Sequence, residues 1–521
     1  MVGCIAAASL RLNGGVFTYG RDDAYIHMAM AKNLVLHGVW GVTPYAFASA
    51  SSSPLWTSLL AVSYRLFGVG EKAPLVLSLL SAIGLLTLIY ELLRREGIGE
   101  AAIVATLFAV VFVMPLPYLV LDGMEPALHT LLTIWFLYLA SELLCADANR
   151  RREAIGLAVL APLLVAARFE GLFLLALTAG LFVVRRRYLY AMVLLALGAI
   201  PVAIIGIPSM LHGGWILPNS VMLKGNRPSG TVLASALHLA ITAVTNLGLS
   251  KALLLIAVLS MAALFLSADR RNLWRPSAVQ LGLFLGMLFA HLAFAQIGNP
   301  FRYEAYLVVT GIYVLASCTK ESWAERLIER VRNLWRRSAA AAGIAILLIS
   351  LPLVGRGIDG VFRADRTSHN CFEQQYQMAR FAQRFYYGQT LVLNDIGYVS
   401  YLADPRLIDV EGLGSNEIAR TRAKLDGETL GAIARRERAK LAMVYPSWLP
   451  GVPSGWTRVG EWKLHDKPFA LGGDTIVFFA TDPSEIEPLK DHLEQFDREL
   501  PIEVVSHIEG SETSIVRVSN R

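Results

Sequence analysis

Apolar runs long enough to cross a bilayer recur along the chain, at about 73–93, 101–121, 125–145, 188–210, 250–268, 276–297, 300–318 and 339–355. Each approaches the roughly 20 residues that a spanning helix needs. Residues 153–184 read as a further pair of shorter halves, 153–166 and 170–184, separated by "ARFEG". The stretch "PLWTSLLAVSYRLF" at 54–67 is apolar but short, and reads as an interfacial or re-entrant helix. The opening "MVGCIAAASL" lacks the basic segment of a cleavable signal peptide and reads as a truncated or partly embedded first helix. With it, about eleven spans are expected. From about 356 the pattern changes to short runs such as "TLVLNDIGYVSYL", "RLIDVEGL", "AKLAMVYP", "DTIVFFAT" and "IEVVSHI", with helical patterns at 416–425, 428–440 and 484–498. The predicted architecture is a polytopic α-helical membrane module, residues 1–355, followed by a soluble α/β domain, residues 356–521.

Charge gives this pattern a direction. Lys and Arg in short loops mark the cytoplasmic side. The clusters are Arg94-Arg95, Arg150 to Arg152, Arg185 to Arg187, Arg270-Arg271 and "KESWAERLIERVRNLWRRS" at 320–338, and all fall on one side if 54–67 does not span. The loops 11–53, 121–129, 167–171, 216–228 and 297–306, together with the tail, then face outward. A hydrophobic fraction of 55% and a mean hydropathy of +0.49 exclude an ordinary soluble domain. The net charge of +6 lies largely in span-flanking loops, so no nucleic-acid partner is implied. The four cysteines, Cys4, Cys145, Cys318 and Cys371, form no CxxC pair, zinc spacing or disulfide framework.

Ionisable groups collect on the outward face. Asp22-Asp23 opens a helical pattern in the loop 11–53. One Asp at a helix start is explained by capping, but capping does not require two, and an ionised Asp can accept a proton from a hydroxyl. A metal-binding role for the doublet is equally open. Glu125 begins a span, and Arg168 with Glu170 interrupts one. That pair can neutralise itself at a broken helix, yet ionisable residues at membrane depth usually line a functional cavity. Lys224 in "PNSVMLKG" and Arg302 in "NPFRYE" suit either headgroup contact or a phosphate clamp. His27, His129 and His212 are scattered outward, and His291 sits inside a span.

The stretch "RDDAYIHMAMAKNLVLHGVWG" followed by "SSSPLWTSLL" resembles the first outer loop of the glycosyltransferase-C superfamily, nearest the branch of the terminal arabinofuranosyltransferases. The likeness continues in order through "DGMEPALH", "ARFEGLFL", "ILPNSVMLK", "NPFRYEAYL" and "NDIGYVSYLADPRLIDVEGLGS". "SASSSPLW" lacks the Gly-Tyr-Thr usual before SPLW, and "ARFEG" has Glu where Pro-Asp or Pro-Glu is common. The resemblance implies an inverting transferase in the plasma (inner) membrane. Its donor would be a polyprenyl-phosphate-linked sugar, and its acceptor a glycan or lipid hydroxyl of the cell envelope on the non-cytoplasmic face. It implies Asp22 as base, with Asp23 capping the helix or holding the acceptor, and Lys224 and Arg302 on the leaving phosphate. Tyr25, His27, Glu125, Arg168, Glu170, Asn219 and Tyr303 are expected around the substrate cavity, and Asp395 and Asp409 as sugar contacts of the C-terminal domain. A divalent metal is compatible with this scheme but not required by it. The alternative is a transporter or flippase of lipid-linked sugars, which would also need a polar cavity and broken helices, although the chain shows no inverted repeat.

Overall fold

The structure, a computed structural model, describes residues 1–146, 150–226, 230–267, 272–298, 301–321, 326, 329 and 339–510. The helices run in chain order as α1 (Val2–Leu12), α2 (Asp22–His37), α3 (Pro54–Phe67), α4 (Ala73–Arg95), α5 (Glu100–Val113), α6 (Leu116–Leu121), α7 (Pro126–Cys145) and α8 (Arg151–Ala167). They continue as α9 (Gly171–Val184), α10 (Tyr188–Leu211), α11 (Asn219–Lys224), α12 (Val232–Leu249), α13 (Lys251–Leu266), α14 (Pro276–Phe294), α15 (Ala305–Ser317) and α16 (Ala339–Cys371). Among the described residues α4, α7, α10, α12 and α14 are long and apolar enough to cross a membrane. The expected span at 101–121 is instead two helices, because Pro115 and Pro117 withhold backbone N–H groups where α5 ends.

The ends of these helices sort onto two faces. Arg150 pairs with Glu142 at 2.5 Å, and Arg187 donates to the Leu143 carbonyl at 2.5 Å, so the basic clusters gather where α7 and α9 end and α8 begins. At the other face, Thr57 of α3 hydrogen-bonds His27 of α2 at 2.8 Å, and the Tyr19 hydroxyl meets the Glu71 carbonyl and accepts from the Leu75 N–H at 3.0 Å. Both ends of α3 therefore lie at the face that bears α2. Helix α12, not anticipated from the sequence, also returns to that face. Asn226 donates to the Phe294 carbonyl and Asn246 to that of Leu292, both at the end of α14.

The change of composition at 355 falls within α16, which enters the C-terminal domain without a break. A π-helical turn (Phe372–Tyr376) leads into α17 (Gln377–Phe385). The domain then adds α18 (Gly397–Ala403), α19 (Asn416–Thr421), α20 (Gly427–Arg436) and α21 (Ile486–Asp497). Its strands β1 (Thr390–Leu393), β2 (Arg406–Asp409), β3 (Leu441–Val444), β4 (Thr457–Leu464), β5 (Thr475–Ala480) and β6 (Val504–Ile508) form one sheet in the order β2-β1-β3-β5-β4-β6. The β2-β1-β3 part is parallel, with Val392 opposite Ile408 and Ala442, and the rest is antiparallel. Such a parallel part is buried on both sides, and β1 and β3 are buried throughout. Asp395 and Tyr445 follow the carboxyl ends of β1 and β3, and Asp409 closes β2, at the edge where α/β sheets place polar groups for binding. Here that edge is turned toward α2.

Candidate functional site

The first turn of α2 sends its two carboxylates in different directions. Asp22 accepts from the backbone N–H groups of Gly397 at 2.6 Å and Tyr398 at 2.8 Å, so it caps α18 of the C-terminal domain rather than its own helix. The approach requires glycine: a Cβ at Gly397 would lie 2.1 Å from the Asp22 carbonyl oxygen. Tyr25, one turn on, stacks on Tyr398 with ring centroids 3.6 Å apart, and Lys32 donates to the Tyr401 carbonyl at 2.6 Å and to Asp404 at 2.8 Å. Asp395 lies close by and accepts from Gln375 at 2.9 Å and from the Tyr445 hydroxyl at 2.6 Å. Burial, and then the Asp395 carboxylate, push Asp22 well above the usual carboxylate range, against the two amides that lower it. Burial likewise raises Asp395, against its two hydrogen-bond donors.

Asp23 faces a cavity of about 300 Å³. His27, Arg168, Glu170, Lys224, Arg302 and Tyr303 share its lining, and Phe169, Leu172, Phe173, Val221, Met222 and Phe294 give it an apolar wall. Arg302 forms an ion pair with Asp23, and Glu125 lies beneath, 3.7 Å from the same guanidinium. Burial pushes the Asp23 carboxyl up, but Lys224 and Arg302 outweigh it and hold Asp23 well below the usual range. Glu125 accepts from Arg168 at 2.5 Å, and Arg168 grips Glu170 through two further bonds of 2.7 and 3.2 Å. The break between α8 and α9 thus serves to hold this three-membered chain. The Tyr303 ring stands 5.6 Å from the Arg168 guanidinium and 5.4 Å from that of Arg302. Burial brings His27 down to about 4, so its imidazole is neutral at physiological pH.

Arg302 is only 5% exposed, yet its Nε–H has no partner among the described residues. A buried donor without a partner costs about 1–3 kcal/mol.

Several expected residues hold the site's surroundings instead of lining it. Asn219 donates to the carbonyls of Gly412 and Leu413, at 3.2 and 3.3 Å, and to Asn416 at 2.9 Å. Asp409 accepts from the N–H groups of Glu411 at 2.9 Å and Gly414 at 2.7 Å and so shapes the same loop, whose Leu413 reaches the cavity. Asp395 does not line the cavity, and neither does Asp22. Sequence reasoning gave no role to Arg21 and Asp122, a buried pair joined at 2.9 and 2.7 Å that ties the start of α2 to the end of α6. Both sit inside quoted motifs, "RDDAYI" and "DGMEPALH", and that is the signal by which they could have been found. His129 and His291 flank Tyr306, whose hydroxyl lies 2.9 Å from His291. Potential metal ligands converge away from the cavity, at His369, Glu373 and Glu503, where His369 and Glu373 are 3.4 Å apart.

This chain is similar in fold to ArnT from Cupriavidus metallidurans. With that protein bound to undecaprenyl phosphate, the TM-score is 0.51 at 13% identity, covering 93% of this chain and 98% of the other. Its apo state gives 0.50 at 16% identity, with the same coverage. A lower TM-score of 0.43, at 13% identity, relates the chain to an oligosaccharyltransferase of Archaeoglobus fulgidus in complex with Zn and sulfate, over 97% of this chain and 74% of that one. Residues 367–479 match a family described as a domain of unknown function, DUF8728. No curated protein matches the chain in sequence. The chain is a polytopic helical membrane protein that ends in an α/β domain, with the fold of ArnT, and this is the fold that its resemblance to the glycosyltransferase-C superfamily implied.

Proposed function

We propose that the chain is a membrane glycosyltransferase that moves a sugar from a polyprenyl-phosphate donor to a hydroxyl of a cell-envelope glycan or lipid, on the non-cytoplasmic face and with inversion. One observation carries this reading. Lys224 and Arg302 converge on a carboxylate in a cavity with an apolar wall. A phosphate with an isoprenoid tail meets both needs, because cations hold the phosphate and the apolar wall takes the first units of the tail. The undecaprenyl phosphate bound to ArnT, which shares the fold, supports the same choice.

In the proposed reaction the acceptor oxygen attacks the anomeric carbon, the bond from that carbon to the phosphate oxygen breaks, and polyprenyl phosphate leaves. The acceptor's proton passes to Asp23. We assign the base role to Asp23 rather than Asp22, because Asp23 lines the cavity and both oxygens of Asp22 are taken up by backbone N–H groups of the C-terminal domain. At rest Asp23 is a weak base, held down by its two cations. Donor phosphate takes a share of the charge of Lys224 and Arg302, so Asp23 binds a proton more firmly when the donor is present. Arg302 and Lys224 then stabilise the charge that develops on the leaving phosphate. Glu125, Arg168 and Glu170 keep the Arg302 side chain in place.

The test is to purify the full chain from its native membrane, identify co-purifying polyprenyl-phosphate sugars by mass spectrometry, and incubate the protein with the labelled donor and a membrane extract. Label should move to an acceptor in a manner that depends on the protein. Donor sugar that stays on its phosphate in the presence of every acceptor fraction contradicts the reading.

A further inference from the structure

The C-terminal domain meets the membrane module at a second place, away from Asp22. There the last turn of α16 carries His369 and the π-helical turn carries Glu373, while Glu503 arrives on the segment that leads into β6. One ligand atom of each lies within 4.8 Å of the other two. None of the three lines the cavity.

His369 is oriented from behind. Asn13, at the end of α1 and 1% exposed, gives its amide hydrogens to the hydroxyls of Thr18 at 3.2 Å and Ser368 at 3.3 Å. Its carbonyl oxygen is thereby turned to His369 Nδ1, 2.9 Å away. A carbonyl only accepts, so Nδ1 carries the hydrogen, and the neutral ring presents its Nε2 lone pair on the other side. Glu373 Oε1 stands there, 3.4 Å from Nε2. A histidine that gives one ring N–H to a carbonyl and turns its other nitrogen to a second ligand has the arrangement of metal-binding histidines.

Glu373 differs from the buried carboxylates of the cavity. Arg302 meets Asp23, and Arg168 meets Glu125 and Glu170. Glu373 is 5% exposed, and among the described residues its ion-pair partner is His369 alone, with Asn370 donating at 3.4 Å. Burial pushes its carboxyl up to about 7; Asn370 and His465 oppose this, and the Glu503 and Asp466 carboxylates add to it. Negative charge thus gathers at a buried carboxylate that neither Arg nor Lys meets. The spacing fits zinc. Two ligands about 2.0–2.1 Å from a tetrahedral zinc ion stand roughly 3.4 Å apart, as Nε2 and Oε1 do. Glu503 is exposed, so rotation of its side chain brings in the third ligand, and water supplies the fourth.

We infer that His369, Glu373 and Glu503 bind a zinc ion that pins the β4–β6 end of the C-terminal sheet to the ends of α1 and α16. The site is structural and separate from the transferase chemistry.

The experiment strips the full chain in nanodiscs with a chelator and returns zinc. Bound metal is counted by inductively coupled plasma mass spectrometry, and amide hydrogen exchange is followed over residues 504–508. About one zinc per chain should be retained. Exchange in β6 should slow by about a hundredfold when free zinc is a hundred times its Kd. Glu373→Gln should abolish retention. Glu503→Gln, at an exposed position, should weaken it by more than the roughly ten- to hundredfold that loss of an outer partner costs. His212→Ala, at an exposed histidine elsewhere, should change neither reading. A folded chain that takes up no zinc overturns the inference and leaves His369 and Glu373 as an ion pair. So does zinc retained equally by Glu373→Gln and Glu503→Gln, which places the ion elsewhere, or uptake of calcium in preference to zinc, which an imidazole ligand disfavours. The experiment reads no sugar transfer, so the transferase reading stands or falls apart from it.

Discussion

The buried carboxylates around the start of α2 fall into two groups that differ in what they accept from. On the side of the C-terminal domain, Asp22, Asp395 and Asp409 are held by backbone amides, a carboxamide and a phenol, all neutral donors. On the side of the cavity, Asp23, Glu125 and Glu170 are held by guanidinium groups, with Lys224 acting on Asp23 as well. Neutral donors fixed in the backbone, as at Asp22 and Asp409, or in buried side chains, as at Asp395, make a carboxylate part of the scaffold. Cationic side chains can be shared with a second anion. Two aspartates adjacent in sequence thus belong to different surroundings, one joining the C-terminal domain to the membrane module and the other lining the cavity beside its cations.

The sharpest way to break this comparison is to exchange the amide for the acid at each member of the doublet. Asp23→Asn should lower turnover by about 10²–10⁴-fold, the usual contribution of a general base, with the protein still folded. Asp22→Asn should keep a measurable rate but lower the melting temperature, because one backbone N–H then faces an amide NH₂ at a cost of about 1–3 kcal/mol. The reverse result, a dead Asp22→Asn beside an active Asp23→Asn, returns the base role to Asp22.

A smaller effect should appear in the pH dependence of stability. Asp22 and Asp395 are raised above their unfolded values, so folding favours their protonated forms. Their contribution is complete below the unfolded carboxylate value of about 4 and is lost as pH rises through the raised folded values. Unfolding of the α2–α18 contact, followed by hydrogen exchange at Tyr398, should therefore become easier as pH rises above about 4. Asp395→Asn should flatten that slope, and a slope of the opposite sign would contradict the grouping.

Smallest of all should be Asp409→Asn. Asp409 shapes the loop 411–414 that Asn219 reads and that brings Leu413 to the cavity. Loosening it should raise KM for the donor severalfold and leave kcat near normal. An equal loss in both would place Asp409 in the chemistry.

Much of the bundle was legible because spanning helices carry a local signal, a run of apolar residues about twenty long. The tail was legible for a similar reason, its strands being short and β-branched between turn residues. Convergence of Asp23, Arg168, Glu170, Lys224 and Arg302 could be expected from topology, since a charged residue at a span end has few places to be. What escaped the sequence depended on distance along the chain. The bonds from Gly397 and Tyr398 to Asp22 cross 375 and 376 residues, so no local pattern says which Asp the C-terminal domain takes. Helix α12 does not belong with these, because "VLASALHLAITAVTNLGL" is as apolar as α14 and was legible as a helix of spanning length. The break at Pro115 was readable in "MPLPY", where two prolines interrupt an otherwise continuous run.

The central claim is that Lys224 and Arg302 form an anion clamp that Asp23 occupies until a polyprenyl phosphate arrives, and direct binding tests it best. Affinity for undecaprenyl phosphate should be measured on the purified chain in nanodiscs, with Arg302→Ala, Lys224→Ala and Asp22→Asn beside the unaltered protein. A charge-assisted hydrogen bond contributes about 1.5–3 kcal/mol, so Arg302→Ala and Lys224→Ala should each weaken binding by roughly ten- to a hundredfold, while Asp22→Asn should leave it unchanged. Equal affinity in all four proteins would contradict the account, because the phosphate would then bind away from the cavity that Asp23 faces.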